Sequence, residues 1–502
     1  MNISDVHQAP TEPALSNREV RSIMFGVMTA QMLAAIDVTI ISPALPSIGR
    51  DLGDVHLLPW IVTAYLIVST ALTPLYGKVA DIRGRRVVLL FAMAVFLLGT
   101  LACALARDMF LLVLARALQG VGGAGIFALA QTIIGDIVPP RQRANYQVYT
   151  SAVWMIANLL GPVVGGVLSE YMHWSLIFWI NLPIGIPAML FVNARLKRLP
   201  RHERPHRLDL IGAFLLVVAA SLLMLSLNYG GKTGWLSPQV IGLFASAMLF
   251  WALLVWRQMS VQEPLIPLDI LSNQVVRTGA LTMFFVMGSY TALSIYLPMF
   301  LQGVSGLSVS AAGIAIIPLL VFTSAGAGLA AFTMNRTPNY KRLPLIGLGL
   351  STLATLALAM APQPMPFWGV MLALTIISIG CGALFPVMNV CLQSSVAPHQ
   401  LGTTMSLVFF LRSLGAAMFV ALAGVLVVSG GSEGSAIRDA AQATTASVAD
   451  LSAAFSIVFY ICAAVFAIGG YCFYRLEQRP LEMHQPRRRA AIDDMKEEPK
   501  PE

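Results

Sequence analysis

Two charged residues stand where a charge is costly. Asp37 lies in Leu33-Ala-Ala-Ile-Asp37-Val-Thr39-Ile-Ile-Ser42-Pro43-Ala44-Leu45-Pro46, and Arg116 in Leu114-Ala-Arg116-Ala-Leu-Gln119-Gly120. An ionised side chain in the middle of an apolar span costs at least about 2.5–3.5 kcal/mol. Such a carboxylate either exchanges protons or meets a cationic solute; the plainer alternative is a structural acid, neutral or bonded to a neighbouring helix. Span one runs outward and span four inward. At about 1.5 Å per residue, both groups sit roughly 12–14 Å below the outer boundary. We expect them to share a water-accessible polar cluster. Desolvation favours the protonated carboxyl, and a nearby guanidinium favours the ionised one. A change in their distance or hydration would let Asp37 take a proton on one side and release it on the other. A cationic solute would compete for the same carboxylate.

The elements that position this pair follow from composition. The chain of 502 residues is 57% hydrophobic and 11% charged, against about 25% charged residues in soluble domains. It is therefore expected to be an all-α polytopic membrane protein. Apolar segments are read at 23–45, 59–77, 87–106, 109–135, 146–168, 174–194, 209–228, 238–256, 278–301, 309–332, 343–361, 366–392, 403–429 and 452–474. Alternating polar and apolar strands are absent, which argues against an outer-membrane barrel. The five cysteines lie in or at the ends of spans, without metal-ligand or disulfide spacing. No metal site, cofactor or catalytic group is expected, and the chain reads as a non-enzyme.

Lys and Arg cluster at alternate ends of the spans. One set of ends carries Arg18 and Arg21, Lys78 to Arg86, Arg141 and Arg143, the run from Arg195 to Arg207, Arg336 to Arg342, and the tail from Arg475. The opposite ends carry Arg50, Arg107, Lys232 and Arg438. This bias places both termini in the cytoplasm and argues against nucleic acid as the partner. Residues 1–22 are polar and form a cytoplasmic segment rather than a signal peptide. The division expected is a six-helix half over 23–195, a linker with two accessory helices over 196–257, a second six-helix half over 258–475, and a disordered tail over 476–502. Residues 430–451 are expected to hold a short surface helix. The pair within 209–257 reads as an accessory hairpin outside the twelve-span core, without buried charge.

The loop Gly77-Lys-Val-Ala-Asp81-Ile-Arg83-Gly84-Arg85-Arg86 joins spans two and three. Gly77 and Gly84 permit close approach and a tight turn. Asp81 can accept hydrogen bonds from a helix N-terminus or pair with an arginine. Its counterpart in the second half is Met334 to Arg342, between spans ten and eleven. Six plus six spans with a spare pair is the pattern of a parallel repeat. Gly161-Pro162-Val-Val-Gly165-Gly166 lets span five pack closely and bend.

At these residues the chain resembles the major facilitator superfamily, and most of all its fourteen-span drug:proton antiporter subfamily. Gly77–Arg86 resembles the loop signature, and Leu114–Gly123 the fourth-span motif whose arginine is tied to proton transfer. Gly161–Gly166 resembles the antiporter motif of span five, and Asp37–Pro46 the first-span motif of drug antiporters. Phe409-Phe410-Leu-Arg412-Ser-Leu-Gly415 also resembles the subfamily. The resemblance implies two six-helix halves rocking around a central site, with a proton as coupling ion and no other cofactor. It implies a bacterial inner-membrane exporter of amphipathic, often cationic drugs or toxic compounds. The lipid bilayer is its medium, and a periplasmic adaptor and outer-membrane channel are further candidate partners. Export of one dedicated metabolite such as a siderophore, sugar or antibiotic is the alternative; a membrane receptor or scaffold has less need of an intramembrane charge pair. Gln31, Tyr65, Gln131, Trp154, Tyr290 and Arg412 are cavity candidates, because each puts a polar tip inside an apolar span. Arg412 needs a partner, and Asn389 and Gln393 are the nearest candidates.

Overall fold

A computed structural model describes residues 16–197, 209–261, 263–337, 339–360, 366–429 and 448–477. Among these residues there are helices and no strands. The expectations for residues 430–447, for the tail from 478 and for most of the segment before span one lie outside the described residues. Among the described residues fourteen helices are long and apolar enough to cross a membrane. A bilayer leaves no water to bond free backbone groups, so continuous apolar runs of this length close their hydrogen bonds internally as helices.

The first half contains α1 (Asn17–Ile40), α2 (Leu58–Arg83), α3 (Arg85–Ala104), α4 (Met109–Ile137), α5 (Pro140–Tyr171) and α6 (Asn181–Leu196). The accessory pair is α7 (Leu210–Thr233) and α8 (Pro238–Ser260). The second half contains α9 (Gln274–Gly303), α10 (Val309–Arg336), α11 (Arg342–Met360), α12 (Phe367–Ser395), α13 (Leu401–Ser429) and α14 (Val448–Tyr474). Several helices run longer than the hydropathy reading suggested. After α1 the chain tightens into a 3-10 turn at Ser42–Ala44 and continues helically over Leu45–Leu52. Pro43 and Pro46 lack the N–H groups that a regular α-helix would use there.

The packing obeys the expected repeat. Within the first half α4 packs on α2 and α3, and α1 on α5 and α6; within the second, α12 packs on α10 and α11, and α9 on α13 and α14. The halves meet chiefly through α2 against α13 and α5 against α10. Each pairing sets the second helix of one half against the fifth of the other, as a twofold relation about the membrane normal requires.

The accessory helices pack on each other, and α7 lies along the seam between α2 and α13. The expectation of no buried charge is corrected here. Asp209 is buried, accepts a hydrogen bond from the Gly212 backbone N–H at 3.0 Å and pairs with Arg257 of α8 at 3.2 Å. An N-cap carboxylate satisfies orphan donors and complements the helix dipole, so a charge at a span end is retained in contact with protein. Asp209→Ala is expected to cost about 1–2 kcal/mol through the lost cap and pair. That loss would be read as a lower thermal midpoint in detergent with transport unchanged.

Candidate functional site

Asp37 and Arg116 come together as a buried ion pair. The Arg116 guanidinium Nη1 donates to Asp37 Oδ2 at 2.6 Å, with 1% and 0% side-chain exposure for the two residues. The other carboxylate oxygen accepts from Gln119 Nε2 at 2.8 Å and from Asn181 Nδ2 at 3.1 Å. Gln119 also donates to Thr100 Oγ1 at 2.7 Å and accepts from Arg116 Nη1. Arg116 Nε donates to the Ile61 carbonyl at 3.2 Å, and the guanidinium carbon lies 4.4 Å from the centre of the Tyr65 ring. Five helices thus supply one network: α1, α2, α3, α4 and α6.

The expected water-accessible cluster is therefore corrected to a sealed one. Tyr65 covers the guanidinium, and two amides fill the carboxylate's remaining sites. Sequence reasoning singled out neither Asn181, Gln119 nor Thr100 as carboxylate partners. Gln119 carried a signal, lying three residues after Arg116 on the same helical face. Asn181 was visible as an amide within an apolar run.

The antiporter-like glycines lie beside this network. A methyl group at Gly161 would overlap Thr39 Oγ1, and one at Gly165 would overlap the Ile40 carbonyl oxygen. Thr39 Oγ1 donates to the Ala157 carbonyl at 2.8 Å. The stretch of α1 that carries Asp37 is thus in backbone contact with α5. Gly166 has looser surroundings, with Pro43 as its nearest neighbour at 4.0 Å, and Pro162 is exposed.

The loop Gly77–Arg86 closes the other end of the molecule, here called the basic face after its Lys and Arg. Asp81 accepts from the backbone N–H groups of Gly402 (3.0 Å) and Thr403 (2.7 Å) and from Thr403 Oγ1 (2.7 Å). A carboxylate of the first half therefore caps the N-terminus of α13 in the second. Arg85 pairs with Asp81 at 2.8 Å and with Asp136 at 2.8 Å, and donates to the Pro398 carbonyl at 2.9 Å. Arg86 donates to Asn193 Oδ1 at 2.6 Å. Gly84 has φ of 87° between α2 and α3, a turn that disfavours any side chain. Gly77 faces the Gly402 carbonyl and Ser406 so closely that a methyl group would overlap both. In the counterpart loop, Asn335 donates to Asn145 Oδ1 at 2.8 Å.

A ladder of amides continues this closure inward. Gln393 Nε2 donates to the Gln131 carbonyl at 2.9 Å, Asn389 Nδ2 to Gln147 Oε1 at 3.0 Å, and Gln147 Nε2 to Gln131 Oε1 at 2.8 Å. Arg143 donates to Ser394 Oγ at 3.2 Å, and Ser324 Oγ to the Ser151 carbonyl at 3.1 Å. Among the described residues, the hydrogen bonds between the two halves run from the basic face to this last pair at mid-depth. The halves are joined on the basic side.

The cavity candidates divide into two groups. Gln31, Tyr65 and Gln131 are buried. Trp154, Tyr290 and Arg412 are partly exposed. Trp154 stacks on Phe127 at 5.2 Å between centroids, and Tyr290 donates to the Leu319 carbonyl at 3.0 Å. Asn389 and Gln393 are not partners of Arg412, because both bond across to the first half. Arg412 instead lies over the faces of Phe385 and Phe409, at 5.4 and 5.5 Å. Cation–π contacts of this kind are each worth about 0.5–2 kcal/mol.

Residues 27–420 match the family model of the Major Facilitator Superfamily. "Multidrug transporter protein MdtP" of Bacillus subtilis (strain 168) is 31% identical over 411 residues, covering 81% of this chain and 75% of that one. "Multidrug resistance protein 3" of the same organism is 30% identical, covering 80% and 79%. "Multidrug resistance protein fnx1" of Schizosaccharomyces pombe (strain 972 / ATCC 24843) is 31% identical over 420 residues, covering 81% and 79%. Among solved structures, the human organic anion transporter MFSD10 superposes with a TM-score of 0.66 at 18% identity, covering 90% of this chain and 99% of that one. The proton:xylose symporter XylE superposes with 0.64 at 16%, covering 93% and 98%. These two show the shared fold.

Proposed function

Because the chain belongs to the Major Facilitator Superfamily, a family of multi-pass membrane transporters, we propose that it exports amphipathic and cationic drugs or toxic compounds in exchange for protons. The multidrug names of relatives at about 30% identity support the substrate class. The Lys and Arg bias supports a cytoplasmic basic face with both termini on that side, in a bacterial inner membrane. On this orientation the cytoplasmic side is closed in the present conformation. A periplasmic adaptor and an outer-membrane channel would extend export across a second membrane.

The observation that carries the proposal is the sealed Asp37–Arg116 pair, the one ion pair among the described residues with both side chains at 1% exposure or less. A buried pair is held by mutual neutralisation, and removing either charge strands the other. A proton arriving at Asp37 is such an event. It would release Arg116 onto Gln119 and the Ile61 carbonyl and loosen the hold of Asp37 on Asn181 of α6. Because Thr39 and Ile40 abut Gly161 and Gly165, movement at Asp37 is passed to the α1–α5 contact. Two-state closure of one side against the other then follows from the rigid halves.

Everted vesicles carrying the protein are expected to accumulate ethidium when the lumen is acid, and to release it when nigericin collapses the gradient. Accumulation no greater than in vesicles without the protein, at every imposed gradient, would reject the exporter reading.

A further inference from the structure

Among the described residues Arg412 is a cation without a counter-charge. The sequence contains no Asp or Glu between Asp269 and Glu433, and none within Leu451–Tyr474. The second-half membrane helices therefore carry no acid at the depth of Arg412; their one carboxylate, Asp450, belongs to the first turn of α14. The acids of the first-half helices near the seam are engaged elsewhere: Asp37 with Arg116, Asp81 with α13 and Arg85, and Asp136 with Arg85. Among the described residues no hydrogen-bond acceptor meets the Arg412 guanidinium, whose contacts are the ring faces of Phe385 and Phe409. Its nitrogens are not among the sealed, unsatisfied atoms of the interior, and the residue is partly exposed. The side chain is therefore not sealed on every side.

Arg412 lies at mid-depth beside the seam between the halves. Counted from Leu401, Arg412 stands about 16 Å from the basic end of α13 at ~1.5 Å per residue, halfway through a hydrocarbon core about 30 Å thick. Phe409 stacks across the seam on Phe127 (6.0 Å, 11°), which stacks on Trp154 (5.2 Å, 19°). Tyr290 meets the edge of Phe385 at 6.3 Å. The result is a guanidinium packed on two ring faces, with N–H donors that meet no acceptor among the described residues and with Tyr290, Phe127 and Trp154 in the same aromatic cluster. A guanidinium held this way presents paired donors that match a planar acidic group, and the cluster matches an aromatic body.

We propose that Arg412 anchors the acidic group of aromatic anionic substrates, carboxylates or sulfonates, at the centre of the transport path. The inference rests on the exporter reading and extends its substrate class beyond cations. The stranded charge has a use on this account: the substrate supplies the missing counter-ion during transit, and the neutralised pair is what the apolar path accommodates.

The test uses the full-length protein in proteoliposomes under an imposed pH gradient, with ethidium and radiolabelled 1-naphthalenesulfonate as separate probes. The wild type is expected to accumulate both above protein-free liposomes. Arg412→Gln should raise the KM for the sulfonate about 10- to 100-fold, the factor that a charged hydrogen bond is worth, and should not raise that for ethidium, a cation that the guanidinium repels. Arg412→Lys should fall between them. Wild type that moves ethidium but not the sulfonate overturns the anion site and leaves the exporter reading standing. Equal loss of both probes in Arg412→Gln, with Arg412→Lys no better, makes the residue structural and also overturns it. If the wild type moves neither probe, the exporter reading fails. Quenching of tryptophan fluorescence by the sulfonate in detergent then decides the site: saturable in wild type and lost in Arg412→Gln supports it, unchanged in the variant rejects it.

Discussion

Asp37→Asn is expected to abolish gradient-driven ethidium accumulation and to destabilise the first half. The amide matches the carboxylate in size but cannot titrate, so no proton can be exchanged at this position. Its hydrogen-bonding pattern is also wrong. The carboxylate is acceptor to three donors, from Arg116, Gln119 and Asn181. An asparagine that turns its oxygen to Arg116 must turn its NH2 group toward two amide donors. Gln119 could flip only by turning its own NH2 group toward Arg116, whose Nη1 now donates to its oxygen. Arg116 would keep a full charge at 1% exposure with no anion beside it. Breaking a buried pair from one side costs about 3–5 kcal/mol, which should appear as a clearly lowered thermal midpoint in detergent.

A double variant separates coupling from stability. In the double variant Asp37→Asn with Arg116→Gln no charge is stranded, and the thermal midpoint should recover most of its loss. Transport should not recover, because the titrating group is still absent. A single variant Asp37→Asn that retains gradient-driven uptake would refute a coupling role for this carboxylate.

The network around Asp37 also marks how far the sequence could be read. Span number, the six-plus-two-plus-six order and the similar depth of Asp37 and Arg116 follow from local properties: apolar run length, basic-residue bias and rise per residue. Asn181 and Thr100 belong to the site only because α6 and α3 pack where they do, and spacing along the chain carries no trace of that. Asp209 was misread because a charge at a span end looks like solvent exposure until the partner helix α8 places Arg257 against it. Arg412 reads from the sequence as a charge in need of a partner. The amides chosen for it were adjacent in depth, but they bond across the seam to Gln131 and Gln147 instead. Sealing, too, was illegible. Whether a polar cluster holds water depends on the ring of Tyr65 lying over the guanidinium, a fact of tertiary packing.

Gly77→Val is expected to cut transport at least tenfold without unfolding the protein, because it acts on one of two conformations. Gly77 stands one turn before Asp81, against the first turn of α13. A methyl group there already overlaps the Gly402 carbonyl and Ser406 Oγ, and an isopropyl group fills the gap in which α2 and α13 meet. Neither obstacle is the far end of a flexible chain: one is backbone, the other a short side chain on a helix. The helices must separate, and Asp81 then loses its bonds of 3.0 and 2.7 Å to the N-terminus of α13. When the basic face is open, nothing in α13 opposes the added side chain, so that conformation accumulates. Spin labels at Arg83 and Gln400 should report a longer distance than in the wild type. Asp81→Asn tests the charge without the steric block. A carboxylate at a helix N-terminus is worth about 1–2 kcal/mol in partly buried geometry, so its loss should shift the closed population about 5- to 30-fold, with less effect on transport than Gly77→Val. Wild-type distances and uptake in Gly77→Val would mean that the α2–α13 contact is not what closes this face, and the Asp81 cap would then be an ornament of the conformation rather than its latch.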